Sequence, residues 1–217
     1  MIEKDFEIAV HDVTQGQWEA VMGENRSWFS RKGGGSVFVK DISDEELKLF
    51  PVEDVSWNDM QKFLEKLNEK ERGRGYVYRL PTEAEWQYAC RGGATSEEEC
   101  SHHFYFDKPI DDLSSDLANF NGNWPYGKAP KGKWLHRTSR VGAYPANKLG
   151  LRDMHGNVNQ WCSDTAGGGR GRVYRGGAWS FGGIDCRAAL RLWMMPNVGT
   201  NGLGFRLARV SSGKSVW

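Results

Sequence analysis

Two amphipathic helices are the clearest elements that the pattern of apolar and polar positions predicts. One follows Ser56, which forms a capping box with Asp59. Its apolar positions recur at helical spacing and are Met60, Phe63, Leu64 and Leu67. The other begins after Thr82, where Glu85 completes a second capping box, and ends at Gly92.

Shorter elements lie before and between these helices. Residues 6–10 and 76–80 are predicted to be short strands, and Thr14 is placed to cap a helix over residues 15–22. The RKGGGS stretch at residues 31–36 is expected to be a flexible tip.

No periodicity is visible from Ala94 to Pro145. A connection of this length is normally functional, or is held by a ligand, a metal or its own aromatic side chains. Trp124, Tyr126 and Trp134 are the aromatic candidates. Short strands are expected to follow, and two or three helices with several short strands indicate a loop-rich α+β fold.

The composition limits the classes of protein that the chain can belong to, but it does not indicate a function. The chain has 29 Lys and Arg against 28 Asp and Glu, which gives no indication of a nucleic-acid partner. With 217 residues and no Pro/Ser-rich linker, it is interpreted as one domain over residues 1–217. Neither a secretory signal peptide nor a membrane span is recognised in the sequence.

Four cysteines stand at positions 90, 100, 162 and 186. They are too few for a disulfide scaffold of this length, and no CxxC pair suggests zinc. Free buried thiols and one or two bridges both remain open. The five histidines form no HExxH motif.

The segment from Arg172 to Arg209 combines two unlike sets of residues. A frame of residue types that fix backbone geometry or buried pairs consists of Gly176, Gly177, Trp179, Arg187, Ala188, Ala189, Arg191, Gly204, Phe205 and Arg206. The heterogeneous positions between them are Ser180, Phe181, Ile184, Asp185, Leu190, Leu192, Trp193, Met194, Met195, Val198, Thr200 and Asn201.

The heterogeneous positions follow neither the alternation of a strand nor the 3.6-residue period of a helix. From Leu192 to Phe205 there is no charged residue, and Pro196 disfavours a helix. Two interpretations are open: a buried loop that crosses the core, and an exposed apolar surface made for contact. The AGGGRGR stretch that ends at Arg172 is interpreted as a mobile hairpin loop.

Four ordered motifs connect the chain to a known family: YRLPTEAEWQYACRGG, LRDMHGNVNQWCSD, RVYRGGAWSF and NGLGFRLAR. At these motifs the chain resembles the formylglycine-generating enzyme family, a sulfatase-modifying branch of the C-type-lectin fold. The resemblance implies that fold for almost the whole chain. It does not imply the activity, because this fold carries both enzymes and binding modules.

The enzymes of that family hold copper with a pair of cysteines in the last segment. The corresponding positions here run from Ser180 to Asp185 and contain no cysteine. Cys186 follows them without a thiol neighbour in sequence, so copper oxidase chemistry is not expected. The alternatives that stay open are an atypical enzyme that uses Cys186 with Cys162 or Cys90, and a structural accessory domain.

The alternation of frame and heterogeneous positions resembles the variable proteins of diversity-generating retroelements, several of which use this lectin-type fold. In those proteins adenines of a template, typically in asparagine codons, are rewritten within a fixed frame. The resemblance implies a non-enzymatic protein that binds a macromolecular ligand, a protein or a glycan, at a cell or phage surface. Trp193, Met194 and Met195 have codons that end in G, so they require template codons other than AAC or AAT.

No cofactor is expected to be required, but the family resemblance also implies a site for a structural calcium or magnesium ion. Carried over residue by residue, its ligands are Asp153, Met154, Gly156, Val158 and Gln160. Gln160 replaces a family glutamate, which removes a charge and weakens calcium binding.

The arginines of the frame are interpreted as structural. Arg187, Arg191 and Arg206 are expected to satisfy buried carbonyl and carboxylate groups. The candidate carboxylate partners are Asp153, Asp164 or Glu85, and the sequence does not assign them to particular arginines.

Overall fold

The computed structural model describes residue 2 and residues 4–213, and the remaining ends of the expected domain lie outside these residues. Within this part of the chain there are four α-helices: α1 (Gln15–Met22), α2 (Asp44–Leu47), α3 (Trp57–Lys70) and α4 (Glu83–Cys90). Short 3-10 helices span Ser36–Val39, Glu99–Ser101 and Gly183–Cys186.

Nine short strands complete the described part of the chain. They are β1 (Glu7–Ile8), β2 (Tyr76–Arg79), β3 (Phe104–Tyr105), β4 (Pro109–Ile110), β5 (Asn159–Ala166), β6 (Gly171–Arg175), β7 (Leu192–Met194), β8 (Leu203–Gly204) and β9 (Ala208–Ser211). They form a sheet in the order β1-β9-β2, a β3-β4 hairpin and a sheet in the order β7-β6-β5-β8. The expected α+β class is therefore confirmed.

Local capping explains the three helices that the sequence predicts. The side chains of Thr14, Ser56 and Thr82 each accept a hydrogen bond from the backbone three residues on, and the residue there bonds back to the cap. Helix α1 ends at Gly23, which has a left-handed φ of 84°. Helix α2 was not predicted, although the side chain of Ser43 caps it from the same relative position.

The main core lies between α1, α3 and the two larger sheets. Trp18 of α1 stacks on Phe63 of α3 with ring centroids 5.2 Å apart. Phe205 meets the edges of both rings, at 6.1 Å from Trp18 and 5.3 Å from Phe63. Phe205, which lies late in the sequence, is thus packed into the core that α1 and α3 form.

The expected flexible tip at residues 31–36 is wrong, because its glycines pack against Trp28. A Cβ placed on Gly34 or Gly35 would lie 2.5 Å from atoms of the Trp28 indole. The backbone N–H of Gly35 also donates to the carbonyl oxygen of Trp28 at 2.9 Å. The glycines therefore allow close approach to an aromatic ring rather than motion.

The long irregular region is held by aromatic side chains, as expected. The indole of Trp134 donates to the carbonyl oxygen of Trp179 at 3.1 Å. Tyr126 pairs with Leu113 in an isolated bridge and meets Phe104 edge-on at 5.5 Å. These contacts attach the region from Ala94 to Pro145 to the segment that carries the heterogeneous positions.

Candidate ligand-binding surface

The two consecutive glycines that begin the frame serve a close backbone approach. Gly177 has a φ of 80°, and a Cβ placed on it would lie 2.6 Å from the Sγ atom of Cys186. Its N–H donates to the side-chain oxygen of Asn159 at 3.0 Å. Glycine is therefore required at this position, because the backbone that follows strand β6 passes in contact with Cys186.

Glu83, the first residue of α4, anchors the frame through two arginines. Arg175 is buried and donates to Glu83 at 2.7 Å and to the carbonyl oxygen of Ala188 at 2.6 Å. Arg191 donates through Nε to both carboxylate oxygens of Glu83, at 2.9 and 2.8 Å. The chain from residue 187 to residue 191 is thus tied to the start of a helix.

Two of the candidate carboxylates, Glu85 and Asp164, are bonded to groups other than the frame arginines, whereas Asp153 lies near Arg206. Glu85 pairs with Arg79, at 2.6 Å for both oxygens, and Asp164 accepts from the backbone N–H of Glu83. Arg187 donates to the carbonyl oxygen of Ile184 at 2.8 Å. The bond between Asp164 and Glu83 joins residues 81 apart in the chain. The Glu85–Arg79 and Arg187–Ile184 pairings are local, at six and three residues apart.

Arg206 is fully buried and bonds three acceptors from three parts of the chain. It donates to the carbonyl oxygens of Ala9 at 2.6 Å and Arg152 at 2.5 Å, and to the side-chain oxygen of Gln160 at 3.1 Å. Burial lowers its pKa, while the nearby carboxylates of Asp12 and Asp153 oppose the shift. The structural role expected for Arg206 matches this arrangement.

Gln160, one of the residues carried over for calcium, is already hydrogen-bonded within the protein. The side-chain oxygen of Gln160 accepts from Trp86 Nε1 at 2.7 Å and from the Arg206 guanidinium. The amide nitrogen of Gln160 donates to the carbonyl oxygen of Asp153 at 2.8 Å. A cationic guanidinium and an amide N–H occupy positions where a calcium ion needs free oxygen ligands. In the described part of the chain no cluster of three or more His, Cys, Asp or Glu side chains is arranged to hold a metal.

The loop that contains Met154, Gly156 and Val158 packs against the start of the frame. The N–H of Gly156 donates to the carbonyl oxygen of Gly176 at 2.7 Å. A Cβ placed on Gly176 would lie 3.4 Å from the carbonyl oxygen of Met154 and 3.9 Å from that of Val158. This loop therefore supports the start of the frame.

His155 links that loop to the frame in a single tautomer. Its Nε2 atom accepts from the backbone N–H of Tyr105 at 2.9 Å, and its Nδ1 atom donates to the carbonyl oxygen of Cys186 at 2.7 Å. Both ring nitrogens are satisfied only when the imidazole is neutral. Burial lowers the pKa of His155 to about 4, although the hydrogen bond to the Cys186 carbonyl opposes the shift.

The cysteines are four free thiols, of which Cys90, Cys162 and Cys186 are buried. Cys90 and Cys162 lie in one apolar cluster, and Cys186 lies in another with Phe104. Burial raises the pKa of Cys90 to about 12 and also raises the pKa values of Cys162 and Cys186. In the protein without metal, burial therefore favours the protonated form of these thiols over the thiolate.

The heterogeneous positions all retain solvent exposure. The exposed members are Ile184, Trp193, Met195 and Val198. The partly exposed members are Ser180, Phe181, Asp185, Leu190, Leu192, Met194, Thr200 and Asn201. A buried loop that crosses the core, the alternative left open by the sequence, is therefore not the arrangement found.

Residues 192–194 form an edge strand, and the expectation that this run has no alternation is wrong. Leu192 and Met194 pack against the main core, while Trp193 is 48% exposed on the other face.

The ring of Trp193 lies against Gly167 and Gly171 of the β5-β6 hairpin. That hairpin, expected to be a mobile loop, is covered by the exposed tryptophan.

The loop after β7 is fixed through its main chain. The carbonyl oxygen of Pro196 accepts from Asn58 at 3.0 Å, and that of Thr200 accepts from Asp54 at 2.9 Å. The indole of Trp179 donates to the carbonyl oxygen of Asn201 at 2.8 Å. The side chains of Met195 and Val198 project from a backbone that other residues hold.

The loop from Phe181 to Asp185 is held from the opposite side by residues 121–126. Asn121 donates its N–H to the carbonyl oxygen of Phe181, and Gly183 donates to that of Trp124, both at 2.8 Å. Ile184 is 52% exposed on this loop. Trp124 was identified only as a residue that ties the chain down, yet it is 67% exposed beside the heterogeneous positions.

The sulfatase-modifying factor enzyme 1-like domain family matches residues 1–211 of the chain. The chain belongs to this family. Two curated relatives are chaperone protein LppX of Paenibacillus barcinonensis and the inactive C-alpha-formylglycine-generating enzyme 2 of Mus musculus. The first is 30% identical over 193 residues, which cover 73% of this chain and 61% of that protein. The second is 35% identical over 173 residues, which cover 76% of this chain and 50% of that protein.

A solved member of the same fold is Treponema denticola variable protein 1. It superposes with a TM-score of 0.67 and 26% identity, over 94% of this chain and 84% of that one. The C-type-lectin fold of the formylglycine-generating type and the resemblance to a variable protein are both confirmed. This member of the sulfatase-modifying factor family spans only part of the curated relatives that it matches, at 61% and 50% of their lengths.

Among the described residues, no helix is both long enough and apolar enough for a membrane crossing.

Proposed function

We propose that this chain is a non-enzymatic recognition protein that presents a diversified binding surface on a fixed lectin-type scaffold. The observation that carries the proposal is the separation of two roles within residues 172–209. The heterogeneous side chains reach solvent, while the frame between them is largely buried or bonded to distant parts of the chain. Such a backbone is pre-organised for binding, so a few large side chains supply affinity at a low ordering cost.

The comparisons support this proposal from two directions. The structural likeness is to a protein named as a variable protein, and one sequence relative is named as inactive in formylglycine generation. The buried, protonated thiols support the same conclusion, because a copper(I) site requires thiolate ligands.

The proposed partner is a protein rather than a glycan or a nucleic acid. Trp193, Met195 and Ile184 are apolar and exposed, and aromatic residues and methionine are enriched at protein interfaces. Display at a cell or phage surface is part of the same proposal. No cofactor is required, since the proposed recognition depends on side-chain contacts alone.

Sequencing of the gene from many isolates tests the diversification. The expected result is that differences concentrate at the heterogeneous positions and that an adenine-rich, near-identical copy of codons 172–209 lies near a reverse transcriptase gene. Differences that are as frequent at Gly177, Phe205 and Arg206 as at Ile184 and Val198 contradict the proposal.

An activity assay tests the non-enzymatic part separately. A cysteine peptide with a sulfatase-type motif is incubated with the protein and copper, and its mass is followed. The expected result is an unchanged peptide. A mass that corresponds to conversion of the cysteine to formylglycine would show that the chain is an oxidase of the family type.

A further inference from the structure

Trp124 lies outside residues 172–209, yet it is exposed beside the heterogeneous positions. At 67% exposure it exceeds every other large apolar residue in the part of the chain that the structure describes. An indole that remains this exposed contributes little to folding, because most of its apolar area is still in contact with water. Its position therefore calls for a role other than core packing.

The backbone that carries Trp124 is fixed directly to the loop of Phe181 and Ile184. The N–H of Asn121 donates to the carbonyl oxygen of Phe181 at 2.8 Å, and the N–H of Gly183 donates to that of Trp124 at 2.8 Å. The N–H of Trp124 closes the turn on the carbonyl oxygen of Asn121 at 2.9 Å. The two loops therefore form one bonded unit, and the backbone that carries the indole is fixed before any partner binds.

Two glycines allow this close approach. A Cβ placed on Gly182 would lie 3.3 Å from the Cβ atom of Trp124, and one on Gly183 would lie 2.9 Å from the backbone nitrogen of Tyr126. A larger residue at position 183 would force the loops apart, because the atom it meets belongs to the backbone. The glycines thus place Trp124 next to the heterogeneous residues Phe181 and Ile184.

The surroundings of Trp124 have the composition of a protein interface. Ile184 extends the apolar centre at 52% exposure. Asp185 and Arg187 flank it with opposite charges, and Arg187 lies over the ring of Tyr126 at 5.7 Å. An apolar centre with a rim of both charges suits a protein surface, whereas a nucleic acid or another polyanion requires a predominantly basic one.

We propose that Trp124 is a fixed anchor of the binding surface and that its indole inserts into an apolar recess of a protein partner. This inference rests on the proposed function and extends the surface beyond the C-terminal segment. The heterogeneous positions then set specificity, while Trp124 supplies affinity that is retained when they change. Large aromatic residues held at the centre of an interface contribute most of the binding energy in many complexes.

The test uses the full chain displayed on yeast, with positions 184, 193, 195 and 198 randomised and hen lysozyme as the protein probe. In most of the selected clones, Trp124→Ala is expected to weaken lysozyme binding about tenfold or more, and Trp124→Phe to restore part of the loss. The matched control is Tyr76→Ala, an exposed aromatic residue of β2 on the β1-β9-β2 sheet, which is expected to leave binding unchanged. Protease resistance of each displayed variant confirms that it is folded.

The possible failures are distinguishable. Clones that bind lysozyme through their randomised positions but are insensitive to Trp124→Ala would contradict the proposed anchoring role of Trp124. They would leave the proposed function of the protein intact. A library from which no lysozyme-binding clone emerges would contradict the proposed function, and it would also contradict the anchoring role of Trp124, which depends on that function.

Discussion

The indole of Trp193 covers Gly171, and a Cβ placed on Gly171 would overlap the Cε3 atom of that indole. The glycine belongs to β6, and the tryptophan is one of the heterogeneous residues on β7, directly opposite Val173. Trp193, which is expected to vary, thus packs against Gly171, and the absence of a side chain on Gly171 leaves room for the indole.

Gly171→Ala is expected to destabilise the protein by about 1–3 kcal/mol, because the added methyl group forces the Trp193 ring to move. In the Trp193→Ala background most of this loss should disappear, since the ring is gone and only the Met194 carbonyl oxygen remains close. Urea unfolding of the four proteins of this cycle measures the coupling. Additive losses would show that the ring does not rest on Gly171.

Glu83 provides a second prediction, because it bonds a buried arginine and an exposed one. Glu83→Gln leaves the buried Arg175 without its counter-charge and should cost about 3 kcal/mol of unfolding free energy. Arg191→Met removes only the more exposed pair and should cost under about 1 kcal/mol. Denaturant unfolding measures both free energies. Similar losses of unfolding free energy in the two variants would contradict the greater contribution assigned to the buried Arg175–Glu83 pair.

His155 makes stability depend on pH in a defined window. The unfolded imidazole takes up a proton below its ordinary pKa of 6.5, but the folded one does so only near pH 4. The unfolded state therefore binds more protons between these values, and stability falls as the pH falls through this window by about 3 kcal/mol.

The contribution of His155 is isolated by comparison with His155→Asn, which has no group that titrates in this range. The difference in unfolding free energy between the wild-type protein and this variant should shrink as the pH falls from 6.5 to 4. A difference that stays constant with pH would mean that the folded histidine titrates normally.

Calcium is expected to have no effect on stability. The oxygen of Gln160 already accepts from Trp86 and Arg206, so this oxygen is not free to bind calcium. Thermal unfolding should give the same midpoint in calcium chloride and in EDTA. Binding at a hundred times the dissociation constant would add about 2.7 kcal/mol, so a midpoint raised by several degrees in calcium would show that the site exists.

Local signals in the sequence were sufficient for the regular elements. Thr14, Ser56 and Thr82 predicted the starts of α1, α3 and α4 because a cap acts on the backbone only three residues away. The short α2 carries the same kind of signal at Ser43 and was overlooked.

The site depended on pairings that no local pattern encodes. The inward direction of Leu192 and Met194 is set by pairing with Tyr174 and Arg172 of β6, about twenty residues away in the chain. The frame and the heterogeneous positions were separable from residue types alone. The position of Trp124 beside Ile184 could not be predicted from the sequence, because it results from hydrogen bonds between loops about sixty residues apart.

The central claim is that the exposed heterogeneous positions can change without loss of the fold, and one measurement tests it most directly. Two libraries of the full chain are displayed and scored for protease resistance. One randomises Ile184, Trp193, Met195 and Val198, and the other randomises a buried set. That buried set is Ala178, Ala188, Leu203 and Phe205. Most members of the first library should be as resistant as the parent, because surface substitutions typically change stability by no more than about 0.5 kcal/mol. Most members of the second should be cleaved. Equal loss of resistance in both libraries would contradict the account.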